Sequence, residues 1–196
     1  KESSRIINIL TKDMGIVGCI VKGCKSLKSK LRLPSEKFAY GTFHFYYKEN
    51  GLSTLIEADI KNYFINIKSD IVKFSYMSYL VDLAKNVYKE NNSSDIYDIL
   101  INALLKIEDN LNPKIITNIV EIKYLTYLGV GLNLDGCSVC GLTSVVSMSY
   151  NKGGYVCINH VGKDKVMDDV TLKLFKAYYY IDISKISELN IKEKVV

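Results

Sequence analysis

Tryptophan is absent from this sequence of 196 residues, and proline and histidine each occur only twice. So few histidines nearly exclude catalytic schemes in which histidine acts as general acid or base. The low proline content and the 48% of hydrophobic residues indicate a folded globular chain rather than a disordered one. We find no secretory signal pattern and no hydrophobic run near the ~20 residues of a membrane span.

Several motifs of enzyme active sites are also missing. The sequence contains no His-Glu-x-x-His, no glycine-rich phosphate loop and no recognisable Ser/His/Asp set. A nucleobase deaminase would need His-x-Glu beside its zinc ligands, but His44 is followed by Phe-Tyr and His160 by Val-Gly. These absences make a zinc hydrolase the weakest hypothesis and favour a protein that binds without catalysing a reaction.

Two short pairs of metal-binding residue types are the most informative feature that is present. Cys137 and Cys140 enclose two residues, and after a gap of sixteen residues Cys157 and His160 enclose two more. Four ligands in two pairs at this spacing are typical of a tetrahedral zinc site. Glycines that permit tight turns lie beside both pairs, at Gly136, Gly141, Gly153 and Gly154. We therefore predict that Cys137, Cys140, Cys157 and His160 bind one zinc ion.

Other uses of these cysteines are possible and less complete. One alternative is that the two pairs are accidental. The other is redox use of one Cys-x-x-Cys, which leaves the matching second pair unexplained. A catalytic zinc has three protein ligands and an open position, so four available ligands indicate a structural role.

Cys19 and Cys24 remain, and a disulfide between them would close a very short loop. We expect free thiols and a reducing cytoplasm.

Positive charge is concentrated near the start of the chain. Residues 1–70 hold 12 Lys and Arg against 7 Asp and Glu, whereas residues 71–196 hold 14 of each, so the net charge of +5 arises in the first part. The stretch from Lys22 to Lys37 contains six basic residues and only one acidic residue, Glu36. Such a patch is typical of a polyanion-binding surface, although an ordinary solvated loop is the alternative. The predicted contacts to the backbone of such a polyanion are Lys22, Lys25, Lys28, Lys30 and Arg32.

The first third of the chain has the pattern of short strands. Residues 5–11 and 15–21 are rich in β-branched residues, and residues 38–47 alternate with a period of two. Asn50-Gly51 predicts a hairpin turn, after which residues 52–56 form the partner strand. Short strands with glycine turns indicate a small barrel or sandwich. The basic loop favours an OB-type barrel, whose strand face and loops bind single-stranded nucleic acid.

Two tyrosines in the alternating strand are candidates for base stacking. Tyr40 and Tyr46 are expected on the same face as His44 and opposite Phe43 and Phe45. Stacking on exposed aromatic rings contributes about 1–3 kcal/mol per base. The alternative is that this face lies in the core and that both tyrosines are buried.

Helical periodicity begins near Ile71. Apolar residues at three- and four-residue steps predict helices over residues 71–88, 96–107 and 114–127, and a last one around 170–178. Asn91–Ser94 and Asn112-Pro113 supply helix starts, and Gly129 supplies a stop. We therefore predict an α+β fold with an OB-type barrel in residues 1–68 and a helical domain in residues 69–196, into which a zinc-ribbon-like segment, 134–162, is inserted.

The order of these parts resembles the RecO family of bacterial recombination mediators. The resemblance covers nearly the whole chain and is carried by several short segments in a particular order. These are Glu2–Thr11, Gly15 with Val21–Gly23, Lys25–Leu33, Leu128-Gly129 before Cys137-x-x-Cys140-Gly141, and Gly153–Cys157. Each motif by itself is short and only moderately specific. The order and spacing of all the motifs together are much more specific than any one of them.

The resemblance implies the fold and a role. It implies an N-terminal OB barrel, helices and a zinc-ribbon-like element. It also implies binding and annealing of single- and double-stranded DNA, with RecR as a partner, and loading of RecA on DNA coated by single-stranded-DNA-binding protein. The sequence departs from the family at His160, where a cysteine is frequent, and imidazole is still a good zinc ligand. Some relatives lack these ligands altogether, so we do not expect the metal to be the source of the activity.

A second departure concerns the barrel. The sequence begins at Lys1 without methionine, and the strand that usually opens the barrel is not recognisable, so we expect an N-terminal truncation and an exposed sheet edge. The leading hypothesis is a non-enzymatic, cytoplasmic DNA-binding mediator without a membrane segment. The alternative is a zinc-stapled module for protein–protein interaction, in which the basic loop has no direct role.

Overall fold

A computed structural model describes residues 3–188 of the chain. Four strands come first, and helices follow, as expected for an α+β fold. The strands are β1 (Arg5–Thr11), β2 (Gly15–Val21), β3 (Tyr40–Tyr46) and β4 (Ser53–Asn62). The predicted strands are confirmed, and β4 is longer than the segment 52–56 that the pattern indicated.

The four strands form one sheet in the order β1-β2-β4-β3. β1 and β2 are antiparallel along their full length, β3 and β4 are antiparallel with two bulges, and β2 joins β4 through a short parallel pairing. Within residues 3–188, β1 and β3 are the outer strands and share no ladder. In the described residues the sheet is thus open between them.

A small core lies on the inner face of this sheet. Period-two alternation directs Val17, Cys19 and Val21 of β2 inward, because successive side chains of a strand point to opposite faces. Leu55 and the rings of β3 pack against them. Cys19 and Cys24 are both buried there as free thiols, and burial raises the pKa of the Cys19 thiol.

The helices have the caps that the sequence indicated. Ser93 accepts a hydrogen bond from the amide of Asp95 at the start of the second long helix, and Asn112 caps the third, with Pro113 at the first helical position. Gly129 follows the third helix with a φ of +79°, which glycine adopts without strain. The helices are α1 (Ile65–Ser69), α2 (Ile71–Glu90), α3 (Ser94–Glu108), α4 (Pro113–Tyr127), α5 (Asp169–Tyr180) and a 3₁₀ turn (Ile183–Lys185).

The short helix α1 joins the sheet to the helices, and the sequence pattern did not predict it. The carboxylate of Glu108 accepts hydrogen bonds from the amides of Asn66 and Ile67, at 3.1 and 3.0 Å, which satisfies donors that the start of a helix leaves free. Phe64 is buried in the helical core. The expected division at residue 68 therefore falls inside α1, and the two-domain division stays a proposal.

The large core lies among α2, α3 and α4. Their apolar stripes bury residues at three- and four-residue steps, such as Ile96, Leu100, Ala103, Leu104 and Ile107 in α3. Leu10, Phe38 and Tyr40 reach this core from the sheet side, so the two parts pack together. No helix in the described part of the chain is long and apolar enough to cross a membrane.

A cleft of about 1280 Å³ is lined by β1, β3, α2 and α3. All seven residues of β1 line it, which shows that the edge of the strand, and not only one of its faces, borders the cleft. Several apolar side chains of β3 and α3 form its opposite wall. The expected exposed edge is therefore present, and it faces this cleft.

Candidate metal centre and basic loop

The metal-ligand pairs lie on two tight turns of the segment between α4 and α5. In the first turn the amide of Gly141 donates to the carbonyl of Cys137 at 2.8 Å, and in the second the amide of His160 donates to the carbonyl of Cys157 at 2.9 Å. Gly141 has a φ of +76°, a conformation that disfavours residues with a Cβ. Each turn thereby directs its two ligand side chains to one point.

The four ligand atoms converge on one point. Those of Cys137, Cys140, Cys157 and His160 all lie within 4.8 Å of one another. The Cys140 and Cys157 sulfurs are 3.7 Å apart, and His160 Nδ1 lies 3.6 Å from the Cys137 sulfur and 3.3 Å from that of Cys157. Tetrahedral zinc requires about 3.8 Å between sulfurs and about 3.6 Å between sulfur and nitrogen. The residues present therefore fit a zinc ion, and the predicted ligand cluster is confirmed as a possible metal site.

Hydrogen bonds prepare one of the cysteines for metal binding. Burial opposes ionisation of the Cys137 thiol, but the amides of Cys157, Val139 and Cys140 outweigh it and lower the pKa of Cys137 to about 5. A thiolate, not a thiol, is the ligand of zinc. Cys137 and Cys157 are buried, whereas Cys140 is exposed at the rim of the site.

A two-stranded ribbon supports the site. β5 (Ser147–Ser149) and β6 (Gly154–Val156) pair antiparallel, and the amide of Tyr155 donates to the carbonyl of Asn133 at 2.9 Å. The Tyr155 hydroxyl donates to the carbonyl of Leu172 in α5. Lys176 of α5 forms an ion pair with Asp135 at 2.8 Å. The ribbon therefore holds the metal segment against the last helix.

Replacement of Gly154 by alanine is expected to destabilise this segment by on the order of 3 kcal/mol. Gly154 has a φ of +149°, and a Cβ there would lie 2.2 Å from the Asn133 carbonyl oxygen. The matched control is Gly131→Ala, because a Cβ at that position has no neighbour within 4 Å. Thermal melts of both variants test this prediction, and equal melting temperatures would contradict it.

The basic loop connects β2 to β3 as a series of turns. Successive amides donate three residues back, from Ser26 to Gly23, from Ser29 to Ser26 and from Arg32 to Ser29, at 3.1–3.2 Å. Cys24 and Pro34 turn inward and are buried. The five predicted DNA-contacting side chains are exposed on this one loop: Lys22, Lys25, Lys28, Lys30 and Arg32.

The charges on the loop are free to meet an external anion. Among residues 3–188, no ion pair involves any of the five predicted DNA-contacting side chains. Glu36, the acidic residue of this stretch, is bound to Arg5 at 2.6 Å. The hydrogen bond that Arg5 donates to Glu36, together with the negative charge of that carboxylate, raises the pKa of Arg5. The loop therefore keeps its own positive charge unneutralised.

The two stacking candidates have different surroundings. Tyr46 is 74% exposed, whereas the Tyr40 ring is stacked on Phe64 with centroids 6.4 Å apart. Tyr40 therefore packs against Phe64 at the start of α1, while Tyr46 is open to solvent, so neither the open face nor the buried face applies to both rings. Glu57 and Asp59 are exposed opposite His44 and Thr42 on the same face. A stacking role stays a prediction for Tyr46 alone.

Sequence reasoning missed the residues that attach the metal segment to the rest of the protein. Tyr155 contacts Leu172, and Asp135 contacts Lys176, only after the chain has folded. No periodicity or spacing links Asp135 to Lys176, 41 positions later.

Comparison with known proteins identifies the class of the chain. Residues 1–64 match the family model described as "Recombination protein O N terminal". Residues 68–196 match the one described as "Recombination protein O C terminal". Together the two matches cover both the open sheet with its basic loop and the helices with the metal cluster.

The chain belongs to the recombination protein O (RecO) family. It is 28% identical to the DNA repair protein RecO of Halalkalibacterium halodurans, over 97% of this chain and 77% of that protein. It is 29% identical to the DNA repair proteins RecO of Shouchella clausii and Exiguobacterium sibiricum, over 97% of this chain and 77% and 78% of theirs. The predicted resemblance is confirmed, and it supports a role in recombination and repair.

Proposed function

We propose that this protein is a non-enzymatic DNA-binding mediator that holds single strands on its basic loop and promotes their annealing. The observation that supports this most directly is the set of five exposed cationic side chains on one loop, none of which forms an ion pair within residues 3–188. The names of the relatives, which are DNA repair proteins, support the same role. The absence of recognisable enzyme motifs from the sequence agrees with a function that requires no bond chemistry.

Annealing requires a surface that brings two like-charged strands close together. Lys and Arg side chains replace counterions condensed on the phosphates, and the release of these ions drives binding. A loop held by turns presents the amines with little further ordering, so less conformational entropy is lost on binding. Duplex DNA would be bound through the same phosphate contacts, since these do not depend on sequence.

The wider role follows from the family and is part of the proposal. It comprises cooperation with RecR and the loading of RecA on DNA coated by single-stranded-DNA-binding protein, in the cytoplasm at the nucleoid. Zinc on Cys137, Cys140, Cys157 and His160 has a structural role in it. With four protein ligands the ion has no open position for a substrate, and it would connect the turn that carries Cys137 and Cys140 to the turn that carries Cys157 and His160.

One observation supports a second candidate function. Three apolar side chains near the metal ligands, Val139, Leu142 and Ile158, are each more than half exposed. Exposed apolar groups at a rigid metal site are suited to binding another protein. The alternative is therefore a zinc-stapled interaction module in which the basic loop has no direct role in DNA binding.

A titration against labelled single-stranded DNA at several ionic strengths distinguishes the two functions. The mediator is expected to bind with a log–log salt slope of about −3 to −4, since about five phosphate contacts contribute roughly 0.7 each. It is also expected to accelerate annealing of complementary oligonucleotides at low salt. A protein that neither binds nor anneals at low salt would contradict the mediator and favour the interaction module.

A further inference from the structure

The basic loop separates its apolar side chains into two sets. Leu31 packs against the core of the sheet, and Pro34 is buried. Leu27 points outward and is 83% exposed, and Leu33 is 62% exposed. The loop therefore buries part of its apolar surface while it presents Leu27 to solvent among its lysines.

The backbone around Leu27 is well defined. The amide of Ser29 donates to the carbonyl of Ser26 at 3.1 Å, so Leu27 and Lys28 occupy the two central positions of a turn. The preceding turn is anchored by Cys24, whose side chain is fully buried. The amide of Leu31 also donates to the Ser29 hydroxyl at 3.3 Å. Leu27 is thus presented at the tip of a turn that is anchored on both sides.

The position of Leu27 relative to the lysines suggests what it contacts. Lys25 and Lys28 are exposed on either side of it in the sequence and would bind phosphates. Phosphate contacts fix the strand in place, and the bases extend from it. An apolar side chain beside such cations can contact base faces, and leucine is among the residues that proteins insert between stacked bases.

We propose that Leu27 contacts the bases of the DNA strand held by the basic loop and separates a pair of stacked neighbours. This inference rests on the proposed function, because it requires that the loop binds DNA. Separated bases are more accessible to a complementary strand. Leu27 would thus add a base contact to a surface otherwise made of backbone contacts.

Leu33 provides the matched control, because it is an exposed leucine of the same loop with different neighbours. It begins the turn that the Glu36 amide closes on the Leu33 carbonyl at 3.0 Å, and the Glu36 carboxylate is paired with Arg5. This ion pair is neutral overall and adds no attraction for a phosphate beside Leu33, whereas Leu27 has an exposed lysine on each side in the sequence. We therefore assign base contact to Leu27 and none to Leu33.

The test uses a single-stranded oligonucleotide that contains 2-aminopurine, an adenine analogue whose fluorescence is quenched by stacking. Saturating protein is expected to raise the fluorescence, and Leu27→Ala is expected to remove about half of the rise or more. Because the lysines remain, Kd measured by anisotropy should change less than about threefold. Leu27→Met, which restores apolar bulk, and Leu33→Ala should retain the full rise.

The outcomes separate this inference from the proposed function. If Leu27→Ala binds the oligonucleotide and gives the same fluorescence rise as the unsubstituted protein, the base contact is wrong and DNA binding stands. The same conclusion follows if Leu33→Ala reduces the rise as much as Leu27→Ala does. If the unsubstituted protein does not bind the oligonucleotide at low salt, both proposals fail.

Discussion

Replacement of Lys25, Lys28 and Lys30 together by alanine is expected to weaken single-stranded DNA binding by on the order of 100-fold at ~50 mM salt. Each lost phosphate contact should reduce the salt slope by about 0.7 to 1 unit, so the slope should fall by about 2 to 3 units. The three side chains are exposed, and none of them takes part in an ion pair within residues 3–188. The folded state should therefore keep its melting temperature.

A control variant that loses the same number of positive charges at another place distinguishes the loss of contacts on the loop from a general effect of net charge. Lys163, Lys165 and Lys173 are also exposed, and their joint replacement by alanine removes three positive charges far along the sequence from the loop. This control should leave the slope nearly unchanged. If the two triple variants lose affinity equally, the effect comes from net charge, and if neither loses affinity at low salt, the loop is not the DNA site.

Loss of zinc is expected to have the second large effect. Cys140→Ser should abolish stoichiometric zinc in the purified protein and destabilise the metal segment by several kcal/mol, since metal binding contributes on the order of 10 kcal/mol to small structural zinc sites. Cys140 is exposed, so its replacement leaves no buried cavity. A fall in stability would thus report on the ion rather than on lost packing.

The extent of the loosening can be measured by hydrogen exchange. A chelator should speed exchange in residues 134–161 and leave α2 to α4 protected, because the main core lies among those helices. The control is the Cys140→Ser variant treated with chelator. Because this variant should already lack zinc, chelator should not speed its exchange any further. If elemental analysis finds no zinc in the unsubstituted protein and Cys140→Ser melts normally, the structural role is wrong.

The helices and the metal ligands could be predicted because their signals are local. Ser93, Asn112 and Gly129 act on backbone groups within a few residues, so their effects do not depend on the rest of the fold. The ligands Cys137 and Cys140 need only a tight turn to point together. The second pair meets them because the ribbon from β5 to β6 brings it back.

The surroundings of the strands could not be predicted in the same way. Alternation placed His44 and Tyr46 on one face, but it could not show that this face is exposed at both residues or that Tyr40 is stacked on Phe64. Phe64 approaches because α1 begins there, and α1 depends on the Glu108 carboxylate, about 40 positions later in the chain. A helix of this length is not stable through its own sequence.

Residue types and their spacing thus decided which chemistry the chain carries, namely cations on a turn-rich loop and four soft ligands in two pairs. The packing of distant segments decided which of these groups are available. Glu36 is held by Arg5, which leaves the loop cationic, and Asp135 is held by Lys176, which attaches the ribbon to α5. Propensities and spacings act over a few bonds, whereas exposure and pairing depend on contacts between residues that only the folded chain brings together.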